Sequence, residues 1–433
     1  MSLVLAAVTA AAVSLLCSEA VLGEELRIKN ATEFLIFSQN VNRGNMYKRT
    51  TVFLDADLDF TGLSQYFEPI GRDSDNLFRG HFDGQGYMIK NLAIKSPSLN
   101  VGLFGYTEGT VIKNIVLDKS CSVVNTHISE SYHDNIYVGS TVGYCRSIYW
   151  LCDIGNIINM ANVVYNGDAS KGENTYLGGI TGYVFAHYYN SSVKNCVNYG
   201  NVAFSGADGH STKIGGISGE FYSFGGPSPI FSIYIQNCLN YGNLYHTGPT
   251  QNLVQMGGIA AVFSGGYLGN SVNAGSIISG VQSTRIGAFV GFFYEATMEN
   301  CYWSENTPYK YYGEIDHSYA KECTTFSDDF KLNKTVLVGD TPREMLIDAL
   351  DAYTDYSAQD LLSRWVLNRL GSTVSFSVNG QKRLSLDSKI ILLPNIADDE
   401  LKRFDGWYTD SACTAPLKVF ELLGATDLYA KFA

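Results

Sequence analysis

Apolar and polar positions alternate with a short period through most of the chain, and the alternation restarts at regular intervals. The clearest unit is Y-L-G-G-I-T-G-Y-V, Tyr176 to Val184, followed by N-C-V-N-Y-G-N-V, Asn195 to Val202. The next reads I-G-G-I-S-G from Ile214 to Gly219, then N-C-L-N-Y-G-N-L from Asn237 to Leu244. The first glycines of successive units are Gly102, Gly139, Gly178, Gly215, Gly257 and Gly287, spaced by 37, 39, 37, 42 and 30 residues. Self-similarity at such a period marks a solenoid, a propeller or an array. Each unit holds three strand-sized pieces and no helical pattern, which suits a triangular coil better than a four-stranded propeller blade. The expected fold is all-β: a right-handed parallel β-helix over residues 96–322.

The second half of the unit is N-x-x-N-x-(G/A)-(N/S)-(V/I/L), and it recurs at Asn156, Asn195, Asn237 and Asn270. Asparagine repeated at one phase predicts a ladder, each side-chain amide bonding to its copy about 4.8 Å away. Asparagine also tolerates the left-handed backbone that a coil corner needs. Upstream, residues 24–95 carry no clear period. Thr32 predicts a helix cap, with Phe34, Leu35, Phe37 and Val41 on one face and Gly44 as the stop. Phe78 to Ile94 predicts two short strands about a glycine-rich turn. Together they are expected to cap the open end of the stack. Downstream, Thr341-Pro-Arg-Glu344 predicts a helix start, continued by Met345, Leu346, Ala349, Leu350 and Tyr353. A second short helix is expected from Ala358 to Trp365, within a helical connector over residues 323–370.

Composition narrows the function. Of 433 residues, 45% are hydrophobic, enough for a sizeable core. A net charge of -12 with only 17% charged residues argues against nucleic acid as a partner, because phosphate binding needs clustered Lys and Arg. Leu3 to Leu16 is an apolar run of signal-peptide length, with small residues toward Ala20 and Gly23, so residues 1–23 are expected to be a secretory signal and the mature chain to lack a transmembrane segment. Without Cys17, eight cysteines remain, with no C-x-x-C pair and no Cys/His metal spacing. Asn30, Asn190 and Asn333 head N-x-S/T triplets, which matter in a eukaryotic host.

The G-G-I-x-G phase with its downstream N-C-x-N-x-G-x-V resembles the GLUG-motif repeats of surface and secreted proteins. The lead-in G-x-F-D-G-x-G-Y-x-I-x-N-L, Gly80 to Leu92, is similar to the opening of such arrays. The fifth copy departs with Ala260-Ala261 and the sixth with Ala288. Over residues 371–433, V-S-F-S-V-N-G (Val374 to Gly380), F-D-G-W-Y-T-D (Phe404 to Asp410) and D-L-Y-A-K-F (Asp427 to Phe432) resemble one Listeria–Bacteroides repeat of the internalin type. That resemblance implies a small β-grasp-like module found on cell surfaces, here with Gln381 and Phe432 departing from the family pattern.

Candidate chemistry is sparse. No phosphate loop, dinucleotide fingerprint or nucleophile motif occurs, so no catalytic residue, cofactor or metal is expected. Asp168, Asp208, His210 and His246 lie in loops after the third strand of neighbouring units. Such loops would sit side by side, as catalytic acids do in polysaccharide-degrading β-helices, although Asp is also an ordinary turn residue. Tyr199 and Tyr241 share a phase and would form an exposed contact strip for glycan or protein. Cys196 and Cys238 share a phase on consecutive coils, which permits a disulfide or, preferably, two stacked buried thiols. The expectation is a secreted or surface structural and adhesion protein, non-catalytic, whose partner is a host-cell, matrix or envelope protein or glycan. The alternative is a glycan-binding or polysaccharide-degrading β-helix.

Overall fold

The computed structural model describes residues 23–187, 191–224, 233–249, 252–281, 284–338, 340–356, 363–378, 381–394, 404–417, 421–422 and 425–432. The expected signal peptide therefore lies outside the described residues. The chain is mostly β, and its main sheets are parallel. Each repeat places one strand in each of several sheets, directly beside the equivalent strand of the next repeat. Gly139, Gly178, Gly215, Gly257 and Gly287 form one in-register file. Val163, Val202, Leu244 and Ile277 form another. Between the files lies a continuous apolar interior.

Parallel pairing starts before the periodic sequence does. Glu24–Ile28 pairs with Thr50–Leu54, which pairs with His81–Asp83, which pairs with Val111–Leu117. The two strands predicted about the glycine-rich turn are His81–Asp83 and Met88–Lys90, and both lie against Val111–Leu117. Helix α1, Ala31–Val41, is capped by Asn30, two residues before the predicted Thr32. Asn30 Oδ1 accepts from Glu33 N at 2.9 Å, and the Glu33 carboxylate accepts in return from Asn30 Nδ2 at 2.9 Å and from Lys29 N at 2.7 Å. Its Phe34 and Phe37 are buried against Phe60, Phe78 and Phe82, closing the apolar end of the stack.

Two asparagine ladders run along the stack. Asn114, Asn156, Asn195, Asn237 and Asn270 adopt φ of 59, 55, 54, 55 and 46°. Each donates to the copy before it at 2.8–2.9 Å, and Asn114 donates to Asp83. The second asparagines of the motif, Asn159, Asn198, Asn240 and Asn273, are fully buried and linked at 2.8–2.9 Å. This inner ladder explains the second glycine of G-G-I. A Cβ on Gly179 would collide with the Asn198 amide and the Gly216 carbonyl, and Gly216 stands likewise against Asn240. The two halves of the repeat motif are thus in contact across the coil.

The third residue of N-C-x-N faces away from that interior. Val197, Leu239, Val272 and Tyr302 form an apolar file, continued by Met88, Val116 and Ile158, and all are buried. The C-terminal part of the chain covers them. Helix α2, Leu346–Tyr356, and the strand Trp365–Asn368 pack on one part of the file. A mixed sheet ordered Gln381–Leu386, Val374–Val378, Thr426–Phe432, Phe404–Tyr408 packs on the rest. In it Val374–Val378 runs antiparallel to the first strand and parallel to Thr426–Phe432. The outer ladder pins this cover: Trp365 Nε1 donates to Asn237 Oδ1 at 2.7 Å, Ser363 N to Asn195 Oδ1 at 3.0 Å, and Asn270 Nδ2 to Leu350 O at 3.1 Å.

The predicted helix start is overruled. Thr341–Met345 is a strand paired antiparallel with Lys331–Val338, and α2 begins only at Leu346. Pro342 lacks a donor, which an edge strand tolerates, and hairpin pairing outweighs the local capping signal. Of the predicted second helix, residues 358–362 lie outside the described residues, and Trp365 opens a strand.

Candidate functional site

The residues flanking the G-G-I-x-G turn leave its two arms on one side. They are Tyr137 and Tyr144 in one coil and Tyr176 and Tyr183 in the next, in register. Tyr137 stacks on Tyr144 at 4.8 Å and on Tyr176 at 4.9 Å, while Tyr176 meets Tyr183 at 5.0 Å. Tyr106 packs edge-on against Tyr144 at 4.8 Å. In the following coil the pair becomes Lys213 and Glu220, 2.7 Å apart, with Lys213 Nζ 4.3 Å from the Tyr176 ring centre. Burial raises the pKa of all four phenols above the ordinary tyrosine value, and for Tyr137, Tyr176 and Tyr183 the charge of Glu220 adds to it. The hydroxyls therefore stay protonated and able to donate.

Farther along the same strands, Phe185 stacks on Tyr222 at 5.9 Å and His187 meets Phe224 edge-on at 4.7 Å. At this edge, one coil earlier, the Cys145–Cys152 disulfide closes the loop between Val142–Ser147 and Cys152–Asn159. The loop holds Tyr149, Trp150 and Leu151 at 62, 63 and 43% exposure. Ser147 Oγ donates to Trp150 O at 2.6 Å, and Gly109, at φ 62°, leaves the space that the Trp150 side chain fills. Exposed tryptophan and tyrosine on a cross-linked loop form a preorganised contact surface.

Tyr199 and Tyr241 are also neighbours in adjacent repeats, their rings tilted by 44° with centres 6.0 Å apart. They are not an open strip, because the C-terminal cover passes over this face and makes them one wall of a cleft of about 490 Å³. Tyr199 Oη lies 3.0 Å from Ser388 Oγ on the opposite wall. Asp118, Lys119, Lys382 and Asp387 add charge of both signs, and Arg383 is held by Asp57 at 3.3 Å and by the Tyr87 ring at 4.5 Å.

The loops carrying Asp168 and Asp208 lie side by side, with Asp168 bridged to Ala207, but His246 is not in a loop: it ends the strand Leu244–His246, opposite Phe204. Only Asp208 and His246 come together. His246 is fully buried, stacks flat on Phe204 at 5.0 Å, and places Nε2 3.2 Å from Asp208 Oδ1. Thr212 Oγ1 donates to the same oxygen at 2.8 Å. Enclosed in this way, the pair is a packing element rather than an accessible acid and base. Asp168 is exposed and held below its usual pKa by hydrogen bonds from Ser170, and His210 is exposed. Among the described residues, no group of three His, Cys, Asp or Glu side chains is placed to hold a metal ion.

Cys196 and Cys238 are free, buried thiols, so the bridge between them is absent. Each bonds instead to backbone carbonyls of its own coil and the coil before. Of the three sequons, Asn30 is the exposed cap of α1, Asn333 is exposed and bonded to Glu305 and Thr325, and Asn190 lies outside the described residues. The aromatic face had a legible signal: Y-x-G-x-x-x-G-Y occurs in two units and becomes K-x-G-x-x-x-G-E in the third. The Cys145–Cys152 bridge had one too, since the two cysteines closely bracket the short S-I-Y-W-L run.

No protein-family model and no curated protein matches the chain. Among solved structures it is similar to a Bacteroides ovatus protein provisionally assigned as an immunoglobulin A1 protease. The identity is 19%, the TM-score 0.49, and the alignment covers 76% of this chain and 87% of that one. A similarity this distant assigns neither a family nor an activity. No helix among the described residues is long and apolar enough to cross a membrane.

Proposed function

We propose that the protein is a secreted or cell-surface structural and adhesion protein of GLUG-repeat type, built as a right-handed parallel β-helix and acting without catalysis. In this reading the C-terminal cover ends in a β-grasp-like module of the internalin type. The observation that carries the proposal is the aromatic face. Over three successive coils it joins the Tyr137, Tyr144, Tyr176 and Tyr183 cluster to Phe185, Tyr222 and Phe224 and to the disulfide-closed Trp150 loop. A packed, partly buried aromatic face edged by exposed Phe224, Tyr149 and Trp150 on a rigid scaffold fits a protein partner of the host cell, matrix or envelope. Immobilised intact chain should retain cells or matrix proteins, and Trp150→Ala should reduce retention at least tenfold. Equal retention by the variant would remove the support.

A second reading is favoured by the cleft. Two tyrosines with Lys119 and Lys382 on its walls suit a glycan, which takes ring contacts and polar bonds together. A glycan array probed with the wild type and with Tyr199→Ala plus Tyr241→Ala separates the readings. Loss of glycan signal in the double variant with cell retention intact would favour the cleft. Depolymerisation of an acidic polysaccharide would overturn the non-catalytic reading.

A further inference from the structure

We propose that Cys323 and Cys301 form a thiol–disulfide exchange site, in which Cys323 reacts with an external disulfide and Cys301 resolves it, bridging two adjacent coils. Glu299 pairs with Lys321 and Tyr302 with Thr324, so Cys301 and Cys323 occupy the same corner of consecutive coils. Asn300 and Glu322 before them share the left-handed backbone, at φ of 51 and 52°. Strand neighbours stand about 4.8 Å apart, inside the ~4.4–6.8 Å Cα range that a disulfide spans. Both side chains turn the same way. Cys301 Sγ reaches the carbonyls of Glu299 and Leu268 at 3.4 and 3.6 Å, and Cys323 Sγ those of Lys321 and Met298 at 3.1 and 3.9 Å.

Access separates this pair from its counterpart. Cys196 and Cys238 share a corner in the same way, but both are fully buried with further coils on each side. Cys323 is only half-buried and lies where the parallel file ends, since Thr324–Phe326 is followed by the antiparallel Lys331–Val338. Cys301 is fully buried, and burial raises its thiol pKa. That makes it a poor first nucleophile and a suitable second one once a mixed disulfide sits beside it.

The exchange balances without a bound redox group. The Cys323 thiolate attacks one sulfur of an external disulfide, forms the mixed disulfide and releases one thiolate. Cys301, giving its proton to solvent, attacks the Cys323 sulfur and releases the second thiolate. The protein dithiol is oxidised, and the external disulfide is reduced to two thiols. The product would staple the coil farthest from α1. The inference does not depend on the adhesion reading.

Intact folded chain incubated with oxidised glutathione, acid-quenched, alkylated and digested with trypsin without reduction tests it. Lys310 and Lys321 lie between the two cysteines, so trypsin leaves them on different peptides. A peptide cross-linked through Cys301 and Cys323 is expected, with Cys196 and Cys238 alkylated only after unfolding. The Cys301→Ser variant should keep glutathione on Cys323, and Cys323→Ser should leave Cys301 unmodified. Wild-type chain with glutathione retained on Cys323, with both thiols still free, or with Cys196–Cys238 bridged first would overturn the proposal.

Discussion

Replacing Asn237 with alanine tests the link between the coil and its cover. Its side chain donates to Asn195 Oδ1 at 2.8 Å and to Ser363 O at 2.9 Å. It accepts from Asn270 Nδ2 at 2.8 Å and from Trp365 Nε1 at 2.7 Å. After the substitution Asn195 Oδ1 keeps Ser363 N, and Asn270 Nδ2 keeps Leu350 O. Trp365 Nε1 and Ser363 O lose this partner in a buried setting, at about 1–3 kcal/mol each. Alanine at φ 55° adds about 1–2 kcal/mol of backbone strain. The expected loss is about 5 kcal/mol, and Asn237→Gly should recover the strain portion. Trp365→Phe alone should cost less, because Asn237 Oδ1 keeps its bond from Asn270. The double variant should then be non-additive by about 1–3 kcal/mol. A repeat array need not unfold in one step, so amide hydrogen exchange resolved by segment is the suitable assay. Protection should fall together in Leu346–Tyr356, in Trp365–Asn368 and in the coils beneath. A loss under about 1 kcal/mol, or strict additivity with Trp365→Phe, would refute the reasoning.

Gly179→Ala should destabilise by roughly 3 kcal/mol in urea unfolding, the upper range for overpacking, because its Cβ would meet the inner ladder. Gly155→Ala, whose nearest neighbour is Lys194 O at 3.5 Å, should cost far less, and equal losses would contradict the packing argument. Removing the Cys145–Cys152 bridge by paired serine substitutions should cost about 2.5 kcal/mol from loop entropy. Chymotrypsin should then cut faster at Tyr149 or Trp150, and unchanged cleavage would show that the bridge does not hold the loop. Alkaline titration should leave Tyr137, Tyr144, Tyr176, Tyr183 and Tyr267 protonated well above pH 10, with Tyr353 pushed up to about 12. Because these folded-state values are raised, their contribution to stability is whole below the unfolded tyrosine pKa near 10. It falls as pH climbs from there through the folded values. Phenolate absorbance rising as a single step near pH 10 in folded chain would contradict this.

The stacking of the chain is local information written many times. Glycine and asparagine recurring at one phase announce repeats stacked in parallel register, since identical turns bond best to their own copies. The asparagine ladder could therefore be expected before any coordinates, whereas the shared phase of Cys196 and Cys238 left both a disulfide and two stacked thiols open. The capping box at Thr341 misled because it is a single local preference, and pairing with Lys331–Val338 supplies more bonds than one cap. The outward file of Val197, Leu239 and Val272 was not singled out from the sequence, and its residues do not say what would cover them. That depends on where a segment distant in the chain returns, 80 residues on for the Asn270–Leu350 bond and 128 for the Asn237–Trp365 bond, which no spacing along the chain encodes. The same long-range path turned Tyr199 and Tyr241 from a presumed open strip into a cleft wall. Packing between neighbouring repeats enclosed the Asp208–His246 pair. Phase along the stack was thus legible from residue order, because each coil meets its successor; what lies across the outer faces followed only from the folded path, because those contacts join residues with no shared period.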